Sequence, residues 1–199
     1  MLDLLDYRRR VTEMYRQIRE RDDPASAWAL FRQTRDDLFR GHPQSPLDAS
    51  QKTTFSGLSY YDYNPSYRMI VPVENTDDPT VLEYDLGEDG HLRCTRFGRV
   101  KFTLPTGTGT LSLFWINGYG GGLFVPFGDT TNRQTTYGAG RYLYDTIKGV
   151  DLGASLTEIV LDFNFAYNPS CAYNPRWVCP LAPPDNRLPF AVPAGEMKF

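Results

Sequence analysis

The run Val81-Leu82-Glu83-Tyr84-Asp85-Leu86, followed by Gly87-Glu88-Asp89-Gly90-His91 and then Leu92-Arg93-Cys94-Thr95-Arg96-Phe97, decides the fold class. Leu82, Tyr84 and Leu86 alternate with Glu83 and Asp85, so one face of the first segment is apolar and the other charged. That period of two belongs to a half-buried strand. Glu88-Asp89-Gly90 is a hairpin signal, since glycine supplies the backbone freedom a tight turn needs. Two antiparallel strands are therefore expected at Val81–Leu86 and Leu92–Phe97.

The same alternation extends in both directions. Upstream it holds for Met69, Val71 and Val73, and downstream for Val100, Phe102 and Leu104. Asn117-Gly118 closes a strand at Leu111–Ile116, and further strands are expected at Leu123–Phe127, Arg141–Ile147 and Leu156–Tyr167. No helical crossover separates these strands, which points to antiparallel pairing in a barrel or a sandwich. About eight strands would enclose a space filled by side chains or by one small ligand. Residues 53–199 are thus read as an antiparallel β-barrel-like (or sandwich) domain ending in a rigid loop.

Residues 1–52 follow a different rule. Leu4, Tyr7, Val11, Met14 or Tyr15, and Ile18 recur every three or four residues, the stripe of an amphipathic helix. Asp22-Asp23-Pro24 breaks it, with Asp23 placed as N-cap and Pro24 as first residue of a second helix carrying Trp28, Phe31, Leu38 and Phe39 on one face. Gly41 is its expected stop, and one short turn is expected to start at Ser45-Pro46. The arm holds ten Arg or Lys against nine Asp or Glu, so its arginines read as an ion-paired, solvated face. The whole chain is mainly β with an N-terminal α-helical arm.

Composition bounds the chemistry. The 199 residues carry a net charge of -3, which gives no electrostatic footprint for nucleic acid. The longest uncharged stretch, Phe102–Gly128, is interrupted by Pro105 and many glycines, so no membrane helix and no membrane partner are expected. The N-terminus lacks the apolar core of a signal peptide, and three cysteines exclude a complete disulfide framework. A cytoplasmic protein with reduced thiols is the expectation. The glycines of Asn117–Asp129 match neither a P-loop nor a dinucleotide fingerprint, so they read as strand turns and no cofactor is expected.

A second stretch concentrates unusual residues: Asp162-Phe163-Asn164-Phe165-Ala166-Tyr167-Asn168-Pro169-Ser170-Cys171-Ala172-Tyr173-Asn174-Pro175-Arg176-Trp177-Val178-Cys179-Pro180. If the strand runs through Tyr167, Ile159, Leu161, Phe163, Phe165 and Tyr167 share one face, and Asp162 and Asn164 the other. Two Tyr-Asn-Pro steps follow, at Tyr167-Asn168-Pro169 and Tyr173-Asn174-Pro175. Asparagine before proline is held extended, so both steps make rigid turns.

Gly138-Ala139-Gly140-Arg141-Tyr142-Leu143, then Leu161-Asp162-Phe163-Asn164 with Ala166-Tyr167-Asn168-Pro169, Cys171, Cys179-Pro180-Leu181, Pro183-Pro184 and Asn186-Arg187-Leu188, carry a resemblance. Ser45-Pro46-Leu47 and Phe55-Ser56-Gly57-Leu58 add to it. The chain resembles the bacterial and archaeal family called domain of unknown function 1684 over nearly its whole length. The resemblance implies where a signature lies. It implies no reaction and no ligand, since the family's name assigns none.

Function then rests on the candidate groups. Cys171 and Cys179 are eight apart, unlike a zinc knuckle, and His42 and His91 are the only histidines, so no metal site is expected. Thiol catalysis at Cys171 or Cys179 would need a lowered pKa, and Arg141 or Arg176 could stabilise a thiolate without accepting a proton. Asp162 is most simply an ion-pair partner of Arg141. The leading expectation is a small organic ligand held in a β-barrel pocket by Arg141, Asp162, Asn164, Asn168, Cys171, Asn174 and Trp177, with the Gly120–Gly122 turn offering close backbone approach. The alternatives are a hydrolase or thiol-dependent enzyme using Cys171 or Asp162, and a structural or interaction module. The sequence assigns no oligomeric state.

Overall fold

Helix α1 (Leu2–Glu20) forms on the expected stripe and buries Val11, Met14, Tyr15 and Ile18. The computed structural model describes residues 1–199, the side chain of Asp89 excepted. Helix α2 (Pro24–Gly41) starts as expected: the Asp23 carboxylate accepts the Ala25 N–H at 3.1 Å and the Ser26 N–H at 3.0 Å. Gly41 lies inside the last turn of α2 rather than beyond it. The helix stops because His42 precedes Pro43 and is held extended, at φ -75° and ψ 140°. The short third helix does not start at Ser45-Pro46. It is α3 (Ala49–Thr54), nucleated by a capping box in which Asp48 accepts the Gln51 N–H at 2.8 Å and Gln51 accepts the Asp48 N–H at 2.9 Å.

The strands are β1 (Arg68–Pro72), β2 (Glu74–Asn75), β3 (Val81–Asp85), β4 (His91–Leu104), β5 (Gly107–Ile116), β6 (Gly122–Phe127), β7 (Arg141–Asp145) and β8 (Glu158–Asp162). The two stretches expected at Leu92–Phe97 and Val100–Leu104 are one strand, β4, with a bulge between Arg96 and Gly98 where it meets β5. β4 pairs along one edge with β5, and along the other first with β3 and then with β2. The sheet continues through β6 to β7, and β1 and β8 form a separate ribbon. Every strand pair is antiparallel. Among the described residues the pairing traces an open sheet and a ribbon rather than a closed ring of strands.

The helices share the core of the sheet. Tyr15 and Phe31 from α1 and α2 belong to one apolar cluster with Leu111, Phe124, Phe127, Leu143 and Phe163. Phe31 meets Phe165 edge-on at 5.2 Å between ring centres, and Phe127 meets Phe163 edge-on at 5.3 Å. Burial of such rings supplies most of the driving force that holds the arm down.

The long strand expected through Tyr167 ends at Asp162. The Asp162 carboxylate accepts the Asn164 N–H at 3.1 Å and caps a 3-10 turn at Phe163–Phe165, whose three side chains are all buried. An Arg141–Asp162 pair does not form. The antiparallel register sets Asp162 opposite Arg68, whose Nε lies 3.6 Å from Oδ2. Arg141 is fully buried and pairs with Asp129 at 2.9 Å.

Arg141 also organises the chain's end. Its guanidinium donates to the carbonyls of Val192 (2.9 Å), Ala194 and Glu196 (3.3 Å). Asp129 accepts the Val192 N–H at 3.2 Å from the other side. This strap lies close to the 3-10 turn: Gly195 has φ +78°, and a Cβ there would come 2.6 Å from the Phe163 carbonyl oxygen.

Two stability predictions follow from these pairs. Removing the cation in Arg141→Met leaves Asp129 buried without its partner, and should cost about 3–5 kcal/mol in urea unfolding. Adding Asp129→Asn to that variant should recover part of the loss, because no unpaired charge then remains buried. At Asp162, burial raises the carboxyl to about 6, against the Asn164 hydrogen bonds and Arg68. A carboxyl raised on folding binds its proton more tightly in the native state, so stability should fall as pH rises from about 4 to about 6. Asp162→Asn should flatten this slope by up to about 3 kcal/mol, read from urea midpoints across the range.

Candidate functional site

Two adjoining chambers open between α1, the end of β7 and the loop Ser170–Pro180. The outer one is a cleft of about 440 Å³ and the inner one a cavity of about 90 Å³. Both are lined by Tyr7, Lys148, Ser170 and Cys179. A separate groove of about 330 Å³ runs between α1, β1 and β8 and contains Asp162 beside Arg68.

The walls of the paired chambers are set by backbone features. β7 ends at Asp145 and turns through a 3-10 helix, Thr146–Lys148, into Gly149, whose φ of +85° lets the turn lie against Thr12 of α1. That turn presents Lys148, which is largely exposed and pairs with the nearly buried Asp145 at 2.9 Å. On the facing side, the Tyr142 hydroxyl donates to the Pro180 carbonyl and pins the end of the loop. Asn174 makes an Asx turn by accepting the Arg176 N–H at 3.0 Å, and Arg176 lies 4.8 Å above the Trp177 ring.

The outer cleft is apolar along Leu92, Ile116 and Phe124 and is rimmed by the exposed side chains of Leu4, Ile147 and Val178. Arg8 and Lys148 give it two cations against the single carboxylate of Asp145. Trp177 lines it, and its buried Nε1–H has no partner among the described residues.

The inner cavity is lined by Tyr7, Tyr15, Tyr142, Tyr167 and Tyr173, all held as neutral phenols because burial raises their pKa. At its base Arg35 reaches Glu196 at 2.7 Å and the hydroxyls of Tyr60 at 2.9 Å and Tyr173 at 3.3 Å, while Tyr173 donates to Glu196. Burial pushes the Glu196 carboxyl up, opposed by Arg35 and Tyr173. Asn168 donates its backbone N–H to Glu196 at 2.9 Å and its side-chain amide to the Met197 carbonyl at 2.8 Å. Its Oδ1 is buried without a partner.

Cys171 and Cys179 meet at the edge of this site. Both are free thiols of intermediate exposure, and the Cys171 N–H donates to Cys179 Sγ at 3.4 Å. The Tyr137 hydroxyl donates to Cys171 Sγ at 3.6 Å. A hydrogen bond from Cys179 outweighs burial and, with that from Tyr137, brings the Cys171 thiol down to about 6. The same thiol pair raises Cys179, which stays protonated. Cys94, buried in β4, is raised to about 11 by burial.

The sequence-predicted residues therefore part company. Asn168 and Trp177 line the paired chambers, and Cys171 touches their wall through Cys179. Asn174 shapes the loop. Arg141 is a core ion-pair member, Asp162 lines the other groove, and Asn164 is buried against the Asn64 backbone by bonds of 2.9 Å in each direction. Gly120–Gly122 line neither chamber. Sequence reading missed Arg8, Lys148 and Arg35 as cavity residues, and read Tyr7 only as core. His42 bonds Asp6 at 3.1 Å through Nε2 and accepts the Gln44 N–H at 3.0 Å through Nδ1, so both ring nitrogens are engaged. Among the described residues no three His, Cys, Asp or Glu side chains converge as metal ligands, and no helix is long and apolar enough to cross a membrane.

Comparison with curated proteins finds no match. Among solved structures the chain is similar to the solution NMR structure of the uncharacterized protein from gene locus rrnAC0354 of Haloarcula marismortui. The two share 36% identity over 83% of this chain and 89% of that one, with a TM-score of 0.63. Residues 53–197 match the model described as "Protein of unknown function (DUF1684)", and the chain belongs to that family.

Proposed function

We propose that the chain binds a small organic acid with an apolar body in the paired chambers, as a binding protein. The observation that carries this reading is the pair of buried, unpartnered polar atoms, Asn168 Oδ1 and Trp177 Nε1, on residues that line the two adjoining chambers. A buried polar atom left without a partner costs about 1–3 kcal/mol, so a bound molecule toward which the Asn168 amide and Trp177 ring turn would be favoured by the bonds they gain. The outer cleft supports the chemical class. Its volume of about 440 Å³ suits one small molecule, its walls are apolar, and its cations outnumber its carboxylate. A carboxylate would sit between Arg8 and Lys148, with the hydrocarbon body on Leu92, Ile116 and Phe124.

Decanoate serves as a first probe. At a concentration about a hundredfold above its Kd it should stabilise the chain by about 2.7 kcal/mol in thermal unfolding. The double variant Arg8→Ala/Lys148→Met should lose most of that gain. Asp162→Asn, in the other groove, should keep it. A gain unchanged in the double variant would overturn the reading, as would native mass spectrometry showing no retained or added acid.

A further inference from the structure

The dithiol at the chamber edge has chemistry that ligand binding does not use. We propose that Cys171 and Cys179 form a peroxide-reactive pair, in which Cys171 attacks a hydroperoxide and Cys179 then closes a Cys171–Cys179 disulfide.

Four features of the geometry support this. Cys179 Sγ is held against the Cys171 backbone, 3.4 Å from its nitrogen, so the two cysteines are within one hydrogen bond of each other. Their spacing is held from both sides: Tyr173 is anchored on Glu196 just after Cys171, and Pro180 is pinned by Tyr142 just after Cys179. The Tyr137 hydroxyl, 3.6 Å from Cys171 Sγ, is a donor placed beside the atom that attacks. Both cysteines are partly exposed, and Cys179 lines both chambers, so an oxidant has a path to the pair. Cys94 shares none of this, being buried in β4.

The chemistry balances without a metal or cofactor. The Cys171 thiolate attacks the outer oxygen of the hydroperoxide, an S–O bond forms and the O–O bond breaks. The leaving alkoxide takes a proton, with the Tyr137 hydroxyl as its nearest donor, and departs as an alcohol, or as water from hydrogen peroxide. The Cys179 sulfur then attacks the resulting sulfenic acid. An S–S bond forms, the S–O bond breaks, and the hydroxyl leaves as water with the Cys179 proton. Two thiols are oxidised by two electrons, and the peroxide is reduced. Lys148, whose charge favours the thiolates of both cysteines, the Tyr137 phenol and the buried Tyr142 phenol, whose ionisation both thiolates oppose, are ionisable groups coupled to the pair.

The experiment treats the folded, fully reduced protein with one equivalent of hydrogen peroxide, quenches with iodoacetamide and measures intact and peptide masses. The expected result is a chain lighter by two hydrogens, with Cys171 and Cys179 in one cross-linked peptide and Cys94 alkylated after unfolding. In Cys179→Ser the reaction should stop at a sulfenic acid on Cys171, captured as one dimedone adduct. In Cys171→Ser the peroxide should be consumed no faster than by an unstructured thiol. Wild-type protein that keeps three reduced thiols would overturn the proposal without any variant being made. Equal peroxide consumption by folded Cys171→Ser and wild type would overturn the assignment of Cys171 as the attacking atom.

Discussion

A guanidinium buried in a core must find acceptors, because five N–H donors removed from water are costly to leave unpaired. Arg141 sits in that position, and the strap at residues 192–196 answers it with the carbonyls of Val192, Ala194 and Glu196. Asp129 supplies the compensating charge and is itself held by the Thr131 N–H at 2.8 Å. The consequence spreads from there. With the strap fixed, the Glu196 side chain reaches Arg35 of α2, Tyr173 of the C-terminal loop and the Asn168 N–H. Sheet, helical arm and loop are thus tied through one short segment, and two buried cations are matched by two buried carboxylates. A hydrophobic replacement of the same volume could be as stable, but it would not dictate which carbonyls converge. What the ion pair contributes is one arrangement rather than many.

The fold was legible where local pattern and final environment agree. Alternation at Leu82, Tyr84 and Leu86 and the capping residue Asp23 gave the strand and the helix start that the structure contains. The failures share a cause. Phe163, Asn164 and Phe165 are all buried, so an alternating sequence there does not have two environments to report. Asp162 ends the strand by capping a turn, and a carboxylate that caps looks in sequence like one that points into a pocket. Closure is invisible for a further reason. Period two says that a strand has two faces, but which strand edges meet depends on pairings far apart in the chain. The capping box Asp48-x-x-Gln51 is written in the sequence and starts the helix, whereas Ser45, where a turn is expected, bonds the Phe39 carbonyl at 2.6 Å.

The site was half legible, and the division follows chain distance. Asn168, Cys171 and Trp177 fall together because they occupy one loop, so their proximity needed no knowledge of topology. Arg8, Arg35 and Lys148 come from α1, α2 and the turn after β7, and only the packed helical arm brings them to the same chambers. Arg141, Asp162 and Asn164 show the opposite error. Polar side chains on or next to a strand serve equally well as pocket lining and as internal fastening, and here all three fasten, although Asp162 also borders the second groove.

The loop's own bonding shows why its chemistry is concentrated at one end. Tyr142 fixes Pro180, Glu196 fixes Tyr173, and Asn174 closes its own turn, so little conformational freedom remains between residues 171 and 179. A loop so fully determined could have been built to satisfy every polar atom, yet Asn168 Oδ1 and Trp177 Nε1 lack partners and the Cys171 thiol is shifted toward its charged form. Asn164 and Asn186, by contrast, are bonded through both ends of their amides, while Arg141 leaves its own Nε unpartnered among its four acceptors. On the proposals above, the frame that would orient a ligand's polar end is also the frame that positions Cys171 and Cys179, so both would share one set of supports.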